Sequence, residues 1–223
     1  MNFLKYPDSE MMAMDVANML ADELGEALHH EERICFAVPG GTTPGPVFDD
    51  LCAVDIDWSR VDVVPTDERW VPEDHPRSNA RLIKERLLVN KAAKARFLPL
   101  CAAQHAPQDV LAELESQIAS ELPIAVALMG MGADMHTASL FPGAAGLVEA
   151  LDPHAPILVP VARDDLEEPR VTFSARVLNG ALSKHILITG QDKRDALRAS
   201  RNLPVEKAPI QAILEAATVH WTP

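Results

Sequence analysis

Leu128-Met129-Gly130-Met131-Gly132-Ala133-Asp134-Met135-His136-Thr137-Ala138-Ser139-Leu140-Phe141-Pro142-Gly143 follows directly on the apolar run Ile124 to Ala127. An unbroken apolar run that ends at glycine reads as a strand covered on both faces, the form strands take in parallel sheets. Two glycines, a carboxylate and a histidine then fall within the seven positions from Gly130 to His136. This is a strand that ends in a loop carrying chemistry. The other segments read as scaffold for it, or as further loops brought up beside it.

The same grammar recurs along the chain. Ile34 to Val38 is continuously apolar and runs into Pro39-Gly40-Gly41-Thr42-Thr43-Pro44. Here Thr43 is expected as a helix N-cap and Pro44 as the first helical residue. Glycines that let the backbone approach a ligand, beside a helix start, form an anion cradle, although an ordinary strand-to-helix turn has the same composition. Val61 to Thr66 is a second strand, and Asp67-Glu68-Arg69-Trp70 concentrates charge at its carboxyl end. Open α/β sheets bind ligands there. Arg77 precedes a helix predicted over 80–88, with Ser78 or Asn79 as its cap. A helix starting at Ser9, one over 107–121 and one over 192–200 show apolar residues at spacings of three and four. Further strands are expected at 97–100, 156–161 and 184–189, with an edge strand at 217–221. The alternation predicts one α/β domain over 1–223, an open parallel sheet with helices on both faces. Right-handed crossovers would gather Gly41, Asp67 and His136 on one edge.

The bulk properties narrow the function classes. The 223 residues carry a formal net charge of −13, the wrong sign for a broad nucleic-acid or anionic-membrane surface. An anionic small molecule would need its cations gathered locally. Cys35, Cys52 and Cys101 are odd in number and show no C-x-x-C spacing, so reduced thiols in a cytoplasmic protein are expected. Met1 to Tyr6 does not read as a signal peptide, and no stretch approaches the ~20 apolar residues of a membrane span. The histidines show no metal-ligand spacing and no dinucleotide or Walker fingerprint occurs, so neither metal nor cofactor is expected.

Four stretches together resemble one family. They are Val38 to Pro44, Thr66 to Pro72 with Arg77-Ser78-Asn79, Gly130 to Gly143, and Pro169-Arg170-Val171-Thr172. The family is 6-phosphogluconolactonase, the soluble kind related in fold to glucosamine-6-phosphate deaminase. The resemblance spans nearly the whole chain. It implies a Rossmann-like, deaminase-like sheet and hydrolysis of 6-phospho-D-glucono-1,5-lactone in the oxidative pentose phosphate pathway. It assigns the general base to His136, for which an imidazole titrating near working pH is suited. Asp134 would fix the imidazole tautomer. Gly40, Gly41 and Thr42 would cradle the phosphate, with Arg170, Lys193 and Arg77 dividing phosphate and oxyanion between them. Asp67 is left to orient loops or sugar hydroxyls, or to pair with Arg69. The phosphosugar lactone is the expected partner of a monomer or small homo-oligomer.

Two departures and two rivals accompany this reading. The family often has glycine where Met135 stands. Either the loop takes another path, or methionine accepts a left-handed backbone at some cost. Ser139 follows His136 by three positions, but no Gly-x-Ser-x-Gly elbow occurs. Thr137 to Ser139 is expected to open a helix, so water attack is preferred to an acyl-enzyme. An amino-sugar-phosphate isomerase-deaminase would share Asp67, Asp134 and His136, yet it carries a glutamate where Phe141 stands. A non-catalytic sugar-phosphate sensor would need an attached domain for which there is no spare length.

Overall fold

The structure, a computed structural model, describes residues 1–223, the side chain of Gln108 excepted. In chain order the elements are Asn2–Lys5 (β1), Ser9–His30 (α1), Ile34–Val38 (β2), Gly45–Leu51 (α2), Val61–Pro65 (β3), Asp67–Arg69 (β4), Asn79–Arg86 (α3), Arg96–Phe97 (β5) and Pro107–Ala119 (α4). Ile124–Gly130 (β6), Leu147–Leu151 (α5), Leu158–Val161 (β7), Arg170–Phe173 (β8), Ala175–Asn179 (α6), Ser183–Thr189 (β9), Gln191–Ser200 (α7) and Thr218–Thr222 (β10) complete the set.

Seven strands form one sheet in the order β1-β10-β9-β6-β2-β3-β5, and every pairing in it is parallel. Successive residues of a strand point to opposite faces, and here both faces are covered. Ile34, Phe36 and Val38 of β2 pack with Leu20 of α1, Phe48 of α2 and Ile83 of α3. Cys35 and Ala37, on the other face, join Ile118 of α4, Leu178 of α6 and Leu197 of α7. The continuous apolar runs are therefore explained by burial on both sides.

The chain leaves β2 through α2 toward β3 on one side, while β6 flanks β2 on the other. Loops after β2 and β6 thus diverge, and a crevice opens at the carboxyl ends of these two strands. Ligand sites of open α/β sheets form at such switch points.

The structure corrects several expectations. Arg170–Phe173 pairs antiparallel with both Asp67–Arg69 and Leu158–Val161, giving a separate three-stranded sheet. The strand expected at 156–161 therefore lies outside the parallel sheet. Backbone bonds from Thr66 N to the Val38 carbonyl (2.9 Å) and from Phe173 N to the Thr66 carbonyl (3.1 Å) splice the small sheet onto the large one. β10 is not an edge strand, because β1 pairs outside it. The strand at 97–100 reduces to Arg96–Phe97. Asp8 rather than Ser9 caps α1, its Oδ1 accepting from Met11 N at 2.8 Å. No Thr43 side-chain cap forms, and Pro44 occupies the cap position of α2. Among the described residues no helix is long and apolar enough to cross a membrane.

Candidate active site

The crevice between the β2 and β6 loops is a cavity of about 410 Å³. Gly40, Gly41, Thr42, Asp67, His136, Arg170 and Lys193 all line it, and Arg69, Asn79, Met131 and Phe141 line it with them. Residues from five segments of the chain thus converge as the sheet topology requires. Arg77 does not belong to this lining. Its guanidinium pairs instead with Glu167 and, at 3.2 Å, with Glu168.

The β6 loop closes tightly on itself. Gly132 N donates to the His136 carbonyl and Met135 N to the Gly132 carbonyl, each at 3.0 Å. A Cβ on Gly132 would lie 2.2 Å from His136 Nδ1, so only glycine leaves room for the ring. Met135 takes φ +67°, so this position does require the left-handed backbone. The cost is offset locally, since Ile210 N donates to the Met135 carbonyl at 3.1 Å and the side chain packs against the core. Thr137 to Ser139 opens no helix; Ala138 is itself left-handed at φ +47°. Ser139 is fully buried and donates to Asp67 Oδ2 at 2.5 Å. Thr66 Oγ1 donates to Asp67 Oδ1 at 3.1 Å. Asp67 therefore ties the β6 loop to β4 and makes no ion pair with Arg69 among the described residues.

His136 Nδ1 is hydrogen-bonded to Asp134 Oδ1. Burial alone would push the Asp134 carboxyl up. The hydrogen bond and charge of His136, with Arg163 beyond, outweigh it and hold the group at about 2. An ionised carboxylate at Nδ1 places the proton of the neutral ring there and leaves the Nε2 lone pair free. The imidazole packs on Phe141, ring centroids 4.4 Å apart.

The cations gather opposite. The antiparallel register sets Arg69 directly across from Arg170. Like charges in such a pair repel, a repulsion eased by the Glu168 carboxylate 3.9 Å from Arg170 Nη2. Both Nε atoms are buried without a partner, and Arg170 is 5% exposed. Burial, then the neighbouring Arg69, lowers the Arg170 pKa. Lys193, near the start of α7, has no ion-pair partner among the described residues. The Gly41, Thr42 and Thr43 amides likewise find no protein acceptor among the described residues, and Gly41 takes φ +88°. Glu68, 2% exposed, organises this wall. It accepts from Arg69 N (2.7 Å), Asn79 N (2.8 Å) and Ala80 N (2.7 Å), at the start of α3, where a carboxylate is favoured. Asn79 in turn donates to the Asp67 carbonyl at 2.8 Å.

The sequence model of the family described as glucosamine-6-phosphate isomerases/6-phosphogluconolactonase matches residues 7–221. The chain belongs to this family. It is similar to a 6-phosphogluconolactonase of Mesorhizobium japonicum, with 40% identity covering 100% of this chain and 95% of the relative. It is similar to that of Rhizobium meliloti at 37% identity, covering 93% and 94%. A crystal structure of a 6-phosphogluconolactonase from Shewanella baltica superposes with a TM-score of 0.95 at 29% identity, covering 100% and 97% of the two chains.

Within the family frame, Arg69 and Phe141 are cavity residues that the sequence reading did not place there. The sequence offers Arg69 only as a partner for Asp67. Its true neighbour, Arg170, follows from an antiparallel pairing that no local motif announces. From the sequence Phe141 marks only the site of a missing carboxylate. A ring three positions after a left-handed residue and five after the histidine is brought back against the imidazole by the turns at Ala138 and Ser139.

Proposed function

We propose that this chain hydrolyses 6-phospho-D-glucono-1,5-lactone to 6-phosphogluconate, the second step of the oxidative pentose phosphate pathway. One observation carries the choice. The cavity holds a carboxylate-backed histidine and three cations, of which Arg69 and Lys193 make no ion pair among the described residues. Among the described residues its only lining carboxylate is Asp67, already engaged by two hydroxyls. An isomerase-deaminase needs a further carboxylate for proton relay, and Phe141 stands in that place.

The geometry supports the following chemistry. His136 Nε2 takes a proton from water as the oxygen attacks the lactone carbonyl carbon. The tetrahedral oxyanion forms, the bond from that carbon to the ring oxygen breaks, and the imidazolium returns its proton to that oxygen. Asp134 holds the tautomer and stabilises the imidazolium. No serine nucleophile takes part, since the Ser139 hydroxyl is committed to Asp67. Gly40, Gly41 and Thr42 offer backbone donors and a hydroxyl to the phosphate. Arg69, Arg170 and Lys193 share the phosphate and oxyanion charges, Arg as a fork and Lys as a point charge. Arg77 acts indirectly, by holding Glu167 and Glu168 at the rim. No step calls for a metal or cofactor. We take residues 1–223 as one domain acting as a monomer or small homo-oligomer. Three free cysteines suit a cytoplasmic setting.

The test offers the purified chain both substrates. Accelerated loss of the 1,5-lactone without ammonia release from glucosamine 6-phosphate is expected. Ammonia release without lactone loss would replace this reading with the deaminase.

A further inference from the structure

Arg163 lies on the segment between β7 and β8, outside the cavity lining. Its guanidinium nonetheless reaches the base from two directions. Nη1 is 3.6 Å from Asp134 Oδ2, the carboxylate that holds His136. The guanidinium carbon sits 4.8 Å from the centroid of the Phe141 ring, and that ring packs against His136 at 4.4 Å. Guanidinium and imidazole therefore both pack on the Phe141 ring, and Asp134 contacts both of them. Cation–π attraction favours this stacking.

Arg163 is itself fixed. Nε and Nη2 grip Asp165 at 2.5 and 3.0 Å, and Nη1 donates to the Pro142 carbonyl at 3.4 Å. A forked guanidinium held by a carboxylate keeps its orientation better than a lysine could. The side chain is 25% exposed, so its field at Asp134 is only partly screened. The other charged groups at the cavity are Asp67, Arg69, Arg170 and Lys193.

We propose that Arg163 is a positioning residue for the His136–Asp134 pair, clamping the Asp134 carboxylate and the Phe141 ring so that the imidazole stays aimed into the cavity. Its charge competes with the imidazolium for Asp134. Its plane buttresses Phe141, which limits ring rotation of His136. The proposal deepens the lactonase reading and, for its role in turnover, rests on it.

Two titrations on the full chain test it. The first follows the His136 imidazole by NMR against pH, without substrate. The second follows kcat/KM for the lactone against pH. Replacing Arg163 by Met removes the charge and keeps the bulk. The His136 midpoint and the acid limb of kcat/KM should both move to higher pH by about half a unit, the size expected for loss of one nearby charge at high effective dielectric. Arg163→Lys should keep both near wild type. Arg163→Gln, which can still donate to the Pro142 carbonyl, serves in the same way should the Met variant not fold. Identical His136 midpoints in wild type and the neutral variants would overturn the proposal. A lower kcat with unmoved titrations would also overturn it, since that is the mark of packing alone. A displaced midpoint in a chain without lactonase activity would sink the lactonase reading and leave the coupling standing.

Discussion

Ser139 Oγ and Asp67 Oδ2 meet at 2.5 Å in the interior, where the β6 loop crosses β4. The bond joins residues 72 positions apart and uses the serine that sequence spacing had set beside the histidine. Ser139→Ala removes a donor to a buried carboxylate and should destabilise the fold by about 1–3 kcal/mol. Turnover of the folded variant should fall by less than about tenfold, which is under 1.4 kcal/mol. Denaturant midpoints with steady-state kinetics check both. Loss of all activity in a folded variant would instead favour a serine nucleophile.

Met135 predicts an inverted order of stability. Its left-handed backbone costs methionine on the order of 1 kcal/mol, which glycine would recover while losing the side chain's packing. Alanine would lose the packing and keep the strain. Met135→Gly should therefore be more stable than Met135→Ala in urea unfolding, with lactonase activity retained. The ordinary order, alanine above glycine, would mean that the strain has been misjudged.

Arg77 was read from the sequence as a phosphate or oxyanion ligand, but it pairs with Glu167 and Glu168 outside the cavity. Arg77→Ala should change KM by less than about threefold. Arg170→Gln or Lys193→Ala should raise it about tenfold or more, the size of a lost charge-assisted bond. Equal effects at the three positions would contradict the assignment.

A buried relay sets the acid stability. Tyr6 Oη bonds His220 Nδ1 at 2.9 Å, His220 Nε2 bonds His185 Nδ1 at 2.9 Å, and His185 Nε2 bonds Glu23 at 2.8 Å. Hydroxyl and imidazole donors can all run one way toward Glu23, with both rings neutral. Burial, then His185, pushes His220 down to about 3 against the pull of Glu23. The unfolded chain therefore binds the proton first. Stability is full above the unfolded value near 6.5 and declines as pH falls toward 3, by on the order of 2–3 kcal/mol at about pH 4.5. His220→Gln should be less stable at pH 7 yet show a flatter decline in urea midpoint below pH 6.5. Parallel declines in both proteins would remove His220 as the cause.

How much of this was legible beforehand depends on burial. β2 and β6 announce themselves because both faces are covered and the runs are apolar, and β3 does so with Asp62 as its one buried carboxylate. Asn2–Lys5 and Asp67–Arg69 are short and mixed, and only their partners make them strands. The convergence of Gly41, Asp67 and His136 was readable from the alternation of elements. The opposition of Arg69 and Arg170 was not, because it rests on a pairing between segments about a hundred residues apart. The sequence predicts a helix start at Thr137 to Ser139, where the structure has a turn. Its polar residues suit a cap, but the left-handed Ala138 and the pull of Asp67 on Ser139 decide otherwise.

The central claim is that His136 activates the attacking water. It is tested by following loss of 6-phospho-D-glucono-1,5-lactone at mildly acidic pH, where the uncatalysed background is slow. Wild type should accelerate the loss strongly, and folded His136→Ala should sit within about tenfold of the background, reflecting loss of general-base catalysis worth roughly 10²–10⁴. Equal rates for wild type and His136→Ala would contradict the account.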